Sequence, residues 1–198
     1  MQKRQFLGQV GQIGLAGLAG AALPATALAA PAPAGPALLT LTGAVGKPNR
    51  GRFDPVRDQM MHKQKLSFER AHAFDFAALA ALPAVDIAPT LEYDGKTHAL
   101  RGPLLLDVLK AAGVALHDDG KLVLRAVDGY AVGVTQAQVR AQRFIVATHL
   151  DGQTMALGGL GPLWAVYDAD RVAQMAAKAL PERFASCPWA LYHIDVLD

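Results

Sequence analysis

Three of the four Asp-Gly pairs, those at 94–95, 128–129 and 151–152, constrain this chain more than any other feature. Between apolar runs such a pair signals a tight turn, because glycine accepts positive φ and the aspartate side chain bonds to nearby backbone. Apolar or β-branched runs flank all three: 85–92 and 97–100, 122–126 and 131–134, 144–150 and 154–157. The turns therefore predict antiparallel hairpins. Residues 38–42 (LLTLT) predict an opening strand, 163–167 a further one and 189–196 a closing one. Helices fall irregularly between them. Asp75 is placed to N-cap 76–82, which Pro83 stops; Pro103 starts a helix ending at Gly113; 135–140 and 169–180 complete the set. Many short strands with scattered helices and no internal repeat indicate an α+β, mainly β, single domain rather than a βαβ array.

Composition adds compartment and partner constraints. A chain of 198 residues, 52% hydrophobic, is long enough to bury one core. Residues 1–29 read as a signal peptide: Lys3 and Arg4, a soft apolar stretch over 6–23, then Ala27-Leu28-Ala29 at cleavage spacing. Glycines at 8, 11, 14, 17 and 20 make that stretch a poor permanent anchor, so no stable membrane insertion is expected after cleavage. Lys3-Arg4-Gln5-Phe6-Leu7 fits both a general-pathway leader and a twin-arginine-like one. Either route gives a periplasmic protein. Losing Lys3 and Arg4 takes the formal charge from +2 to zero, which removes the electrostatic footprint of a nucleic-acid binder. Cys187 is the only cysteine, so no internal disulfide can staple the fold.

Residues 30–37, Pro/Ala-rich, read as an extended, mobile linker before a domain over 38–198. Within it, residues 50–72 stand out as a basic insertion carrying Arg52, Arg57, Lys63, Lys65 and Arg70. Such a cluster reads as a solvated insertion, with a recognition surface as the alternative.

Familiar catalytic patterns are missing from the sequence. The glycines of GGLGPLWAVYD (158–168) precede a strand, whereas a phosphate cradle precedes a helix. No Walker sequence, G-x-S-x-G elbow, H-E-x-x-H or C-x-x-C is present. His62, His72, His98 and His117 read as surface residues; His149 and His193 as half-buried ones within reach of a ligand. Cys187 has no basic neighbour closer in sequence than Arg183 and reads as a structural thiol. The loop before Trp164 has two readings: a turn leading a core tryptophan, or a loop shaped around a flat ligand.

Several ordered stretches carry a resemblance. They are Leu41-Thr42-Gly43; Ala78 to Pro83 (ALAALP); Arg101 to Leu109 (RGPLLLDVL); Ala126 to Tyr130 (AVDGY); Asp151 to Met155 (DGQTM); Gly161 to Tyr167 (GPLWAVY); and the closing run from Trp189. In this order and spacing the chain resembles small exported members of the sulfite-oxidase-like, molybdopterin-binding oxidoreductase domain family. That resemblance implies a mainly β fold with a pterin cleft. It implies Trp164 as a stacking face, Gly161 and Pro162 as its loop, and Asp128 and Tyr130 as ring partners. For Asp128-Gly129 a plain hairpin turn remains an equal alternative, and for Trp164 core packing does.

One departure bears on function. In the wider family a cysteine at the end of the strand reading 121–126 here holds molybdenum; this chain has Ala126, and a methyl group cannot ligate a metal. The resemblance then implies a pterin-binding protein without metal, reporting occupancy to a membrane diguanylate cyclase or sensor kinase. A molybdopterin-dependent oxidoreductase is the second expectation and a ligand-free interaction module the third.

Overall fold

The computed structural model describes residues 31–197; the proposed export segment lies outside the described residues. The chain runs β1 (Leu39–Gly43), α1 (Gln59–Lys63), β2 (Ala71–Phe74), α2 (Phe76–Ala80), β3 (Ala84–Ile87), β4 (Leu100–Pro103) and α3 (Leu105–Ala111). It continues through β5 (Lys121–Ala126), β6 (Ala131–Thr135), α4 (Gln136–Gln142), β7 (Ile145–Ala147), β8 (His149–Leu150) and β9 (Gln153–Thr154). It closes with β10 (Trp164–Val166), α5 (Ala173–Ala176) and β11 (Leu191–Leu197). The result is a mixed α and β domain built on sheets with a few short helices.

A five-stranded sheet of order β2-β1-β11-β5-β6 forms the frame. Its centre pairs the first strand with the last in parallel, Leu41 opposite Ile194, while its other pairs are antiparallel. A four-stranded sheet of order β3-β4-β8-β9 and the pair β10-β7 complete the strands. Leu39, Leu41, Leu122, Leu124, Ile194 and Val196 of the frame join Leu105, Leu109, Ile145 and Val166 in one buried core. Each such side chain taken out of water stabilises by roughly 1.5–3 kcal/mol.

Local rules account for many element ends. Asp75 caps α2 by accepting the Ala78 N–H at 2.7 Å. Thr135 and Gln138 form a capping box at α4, satisfying two otherwise orphaned donors. Gly113 follows α3 at φ +76°. Pro103 belongs to β4, so α3 begins at Leu105 instead. The 144–150 run divides at Thr148, which donates to the Arg101 carbonyl; β7 pairs with β10 and β8 with β4. The expected 169–180 helix is broken into 3-10 turns at Ala169–Arg171 and Leu180–Glu182 flanking α5. Helix α5 buries no residue, so no packed face sustains a longer helix there.

Two further expectations change. The linker residues rest on the domain: Gly35 N–H donates to Asp75 at 2.8 Å, and Asn49 Nδ2–H to the Pro31 carbonyl at 3.2 Å. The 50–72 segment is not merely solvated either. It contributes Met61, Phe68 and Ala71 to a second buried cluster with Tyr192, and its last two residues lie in β2. Polar composition misled because buried apolar anchors lie among the charges, two of which are paired: Arg52 with Glu69, and Arg50 with Asp58 while lying over the Phe68 ring.

Candidate functional site

The strand β5 leads directly to a cleft. Beyond Ala126 the chain turns through Asp128-Gly129, with Gly129 at φ +95° and its N–H donating to the Ala126 carbonyl at 3.0 Å. Asp128 Oδ1 accepts the Tyr130 N–H at 2.8 Å, fixing the turn and leaving Oδ2 available. Tyr130 reaches outward, and its hydroxyl donates to the Ala185 carbonyl. That bond ties the β5–β6 turn to the segment leading into β11.

This second segment is irregular but well bonded. Cys187 N–H donates to Phe184 at 2.9 Å, Ala165 N–H to Pro188 at 3.2 Å, and Val127 N–H to Ala190 at 3.1 Å. Together these hold Phe184, Cys187, Pro188 and Trp189 along one wall. A third wall comes from Glu92 and Tyr93, in the arm closed by the Thr90–Thr97 bridge and the Asp94-Gly95 turn. His98 clamps that arm, with Nδ1 2.7 Å from Asp151 and Nε2 3.2 Å from Asp94, so the Asp94-Gly95 and Asp151-Gly152 turns are tied together. Asp151, then Asp94, raise the His98 pKa, and His98 in turn lowers that of Asp151; the Asp94 carboxyl is lowered chiefly by the Lys96 N–H, with His98 adding to it.

The three walls enclose about 260 Å³. Tyr93, Tyr130 and Trp189 are 54%, 48% and 40% exposed, and they are the exposed aromatic side chains among the described residues. All three line this cleft. Exposed aromatic surface gains nothing from folding, so its collection at one concavity points to a ligand. Burial, then the Glu92 carboxylate, pushes the Tyr93 hydroxyl up to about 12. Burial likewise pushes the Cys187 thiol up, and the Glu92 charge adds to the rise. Both groups stay protonated at neutral pH.

The residues singled out in the sequence separate here. Asp128, Tyr130 and Ala126 line the cleft. Trp164 does not: it is 0% exposed, packs on Phe184 at 6.0 Å, and its Nε1–H donates to the Cys187 carbonyl at 2.9 Å. No face of that ring is open to a ligand. Strand β10 carries it beneath the wall whose outer side is Trp189, its backbone bridge partner. Gly161 serves the chain's own packing, since a Cβ there would stand 2.4 Å from Met155 Cβ and 2.5 Å from Met155 backbone. Pro162 lines a separate groove with Leu157 and Tyr192.

Glu92, Tyr93, Phe184, Cys187 and Trp189 are among the lining residues that the sequence did not suggest as ligand contacts. A usable signal did exist for the tyrosines, because Tyr93 and Tyr130 each abut an Asp-Gly turn, where a side chain is exposed. His72 is buried, its Nδ1 facing the Lys47 carbonyl. His193 is buried against Thr42, and burial lowers its pKa to about 4. Neither histidine lines the cleft, nor does His149, which packs on Phe76.

No protein-family model matches the sequence, and no curated protein is similar to it by sequence. Its fold does have a likeness. The crystal structure of the sulfane dehydrogenase SoxCD from Paracoccus pantotrophus matches 81% of this chain at a TM-score of 0.53 and 13% identity. The chain spans 38% of that chain's length. At this identity the relation is a distant one of fold.

Proposed function

We propose that the chain is an exported pterin-binding protein that holds the ring in this cleft and reports occupancy to a membrane partner without catalysing a reaction. The observation that carries the reading is the convergence of Tyr93, Tyr130 and Trp189 on one cleft whose edge holds the carboxylates of Glu92 and Asp128. A pterin is flat and rimmed with N–H donors and acceptors, so it needs aromatic faces and a few polar groups. A space of about 260 Å³ suits a bicyclic ring. The fold likeness, to a sulfane dehydrogenase, is compatible with the sequence resemblance to sulfite-oxidase-like pterin domains. The leader expected from the sequence supports a periplasmic location, the resemblance a diguanylate cyclase or sensor kinase as partner, and the neutral charge that would follow cleavage argues against nucleic acid.

The residues present do not fit a molybdenum ion held by protein sulfur. Ala126 ends β5 where the ligand would stand, and the Cys187 thiol is buried with its ionisation disfavoured. One observation favours the oxidoreductase as a second reading: Cys187 lines the same cleft as Ala126, although the two are far apart in sequence.

Purification from a host that makes the molybdenum cofactor separates the readings. The expected result is an extractable fluorescent pterin with far less than one molybdenum per chain. Near one molybdenum per chain, lost in Cys187→Ala, selects the oxidoreductase. A protein that neither carries nor binds pterin contradicts the proposal.

A further inference from the structure

The lining of the cleft has a one-sided charge. Glu92 and Asp128 contribute carboxylates, and no lysine, arginine or histidine lines it. Two arginines adjoin lining residues in sequence, and neither lines the cleft. Arg183, beside Phe184, bonds to Asp170 and to the carbonyls of Ala176 and Lys178, and Arg125, beside Ala126, exerts its charge on Tyr192 and His193. Glu92 forms no ion pair with any described residue. Asp128 spends one oxygen on its turn and keeps the other. Tyr93, Phe184 and Trp189 line the same cleft, and a negative charge entering it is repelled by both carboxylates more strongly the closer it comes. Aromatic faces add to the bias, because the ring quadrupole attracts cations.

We propose that the cleft selects ligands that present a guanidine- or amidine-type donor edge and carry no phosphate, with Glu92 and Asp128 setting that choice. The identity of the ring rests on the pterin reading; the charge rule rests on the lining alone. The amino-pyrimidinone edge of a pterin is a cyclic acylguanidine with N–H and NH₂ side by side, matching the two oxygens of a carboxylate. A phosphate on the same ligand meets two carboxylates and no counter-charge. The cleft thus takes a free pterin and rejects the phosphorylated form, which is the form molybdopterin has.

Calorimetric titration of the mature chain with neopterin, neopterin monophosphate and benzamidine tests this. Neopterin is expected to bind at least about tenfold more tightly than its monophosphate, because like charges in a confined site repel. Glu92→Gln and Asp128→Asn, each nearly isosteric, are expected to narrow that gap. Equal or tighter binding of the monophosphate to the wild-type chain overturns the charge rule and leaves the pterin reading standing. Binding of benzamidine without neopterin does the reverse, and binding of none of the three overturns both.

Discussion

Trp164 and Trp189 face each other across a backbone bridge yet have opposite environments. Trp164 is sealed in the core with its N–H satisfied by Cys187, whereas much of Trp189 is in solvent at the cleft. Trp164→Ala should therefore cost about 3–5 kcal/mol of stability, the usual range for emptying a large buried aromatic site. The same change at Trp189 should cost about 1 kcal/mol or less, because much of its surface is already hydrated. Urea unfolding of both variants reads the difference. A Trp164→Ala midpoint equal to wild type would show that its ring is not packed. In the sequence both tryptophans follow a proline by one or two residues and open an apolar run, so nothing local distinguishes them. Pairing with β7 buries one, and the irregular wall before β11 exposes the other.

At the scale of elements, the hairpin around Asp128-Gly129, the capped helices α2 and α4, and the opening and closing strands were legible because each depends on neighbours in sequence. The 50–72 segment was not, because its partners are remote. Phe68 packs with Tyr192, and Gln64 donates to the Val127 carbonyl while accepting the Tyr192 hydroxyl. Its charges dominate its composition, and its three buried apolar residues, Met61, Phe68 and Ala71, are too few to show a period. Phe68→Ala should lower stability by about 3 kcal/mol, since the cluster has little else to close the gap. Thermal unfolding checks this. A loss below about 0.5 kcal/mol, the scale of an ordinary surface change, would return the segment to the status of a solvated insertion.

The whole molecule assembles its cleft from residues 92–93, 126–130 and 181–189, which only the closed fold brings together. Parallel pairing of β1 with β11 fixes the last strand at the sheet's centre, and β11 then sets β5 and its turn beside the Trp189 wall. Long-range closure of this kind leaves no mark at any one place in the sequence, which is why only Asp128, Tyr130 and Ala126 could be placed at the site beforehand. On the proposed reading, this closure builds a binding face for a flat heteroaromatic ring. Titrating neopterin fluorescence against wild type and Trp189→Ala tests it most directly, with circular dichroism to show that the variant is folded. The account predicts saturable quenching by wild type and a loss in Trp189→Ala of about 1–3 kcal/mol, roughly 5- to 150-fold in affinity, as for other bases stacked on aromatic side chains. Wild-type affinity in folded Trp189→Ala would contradict it.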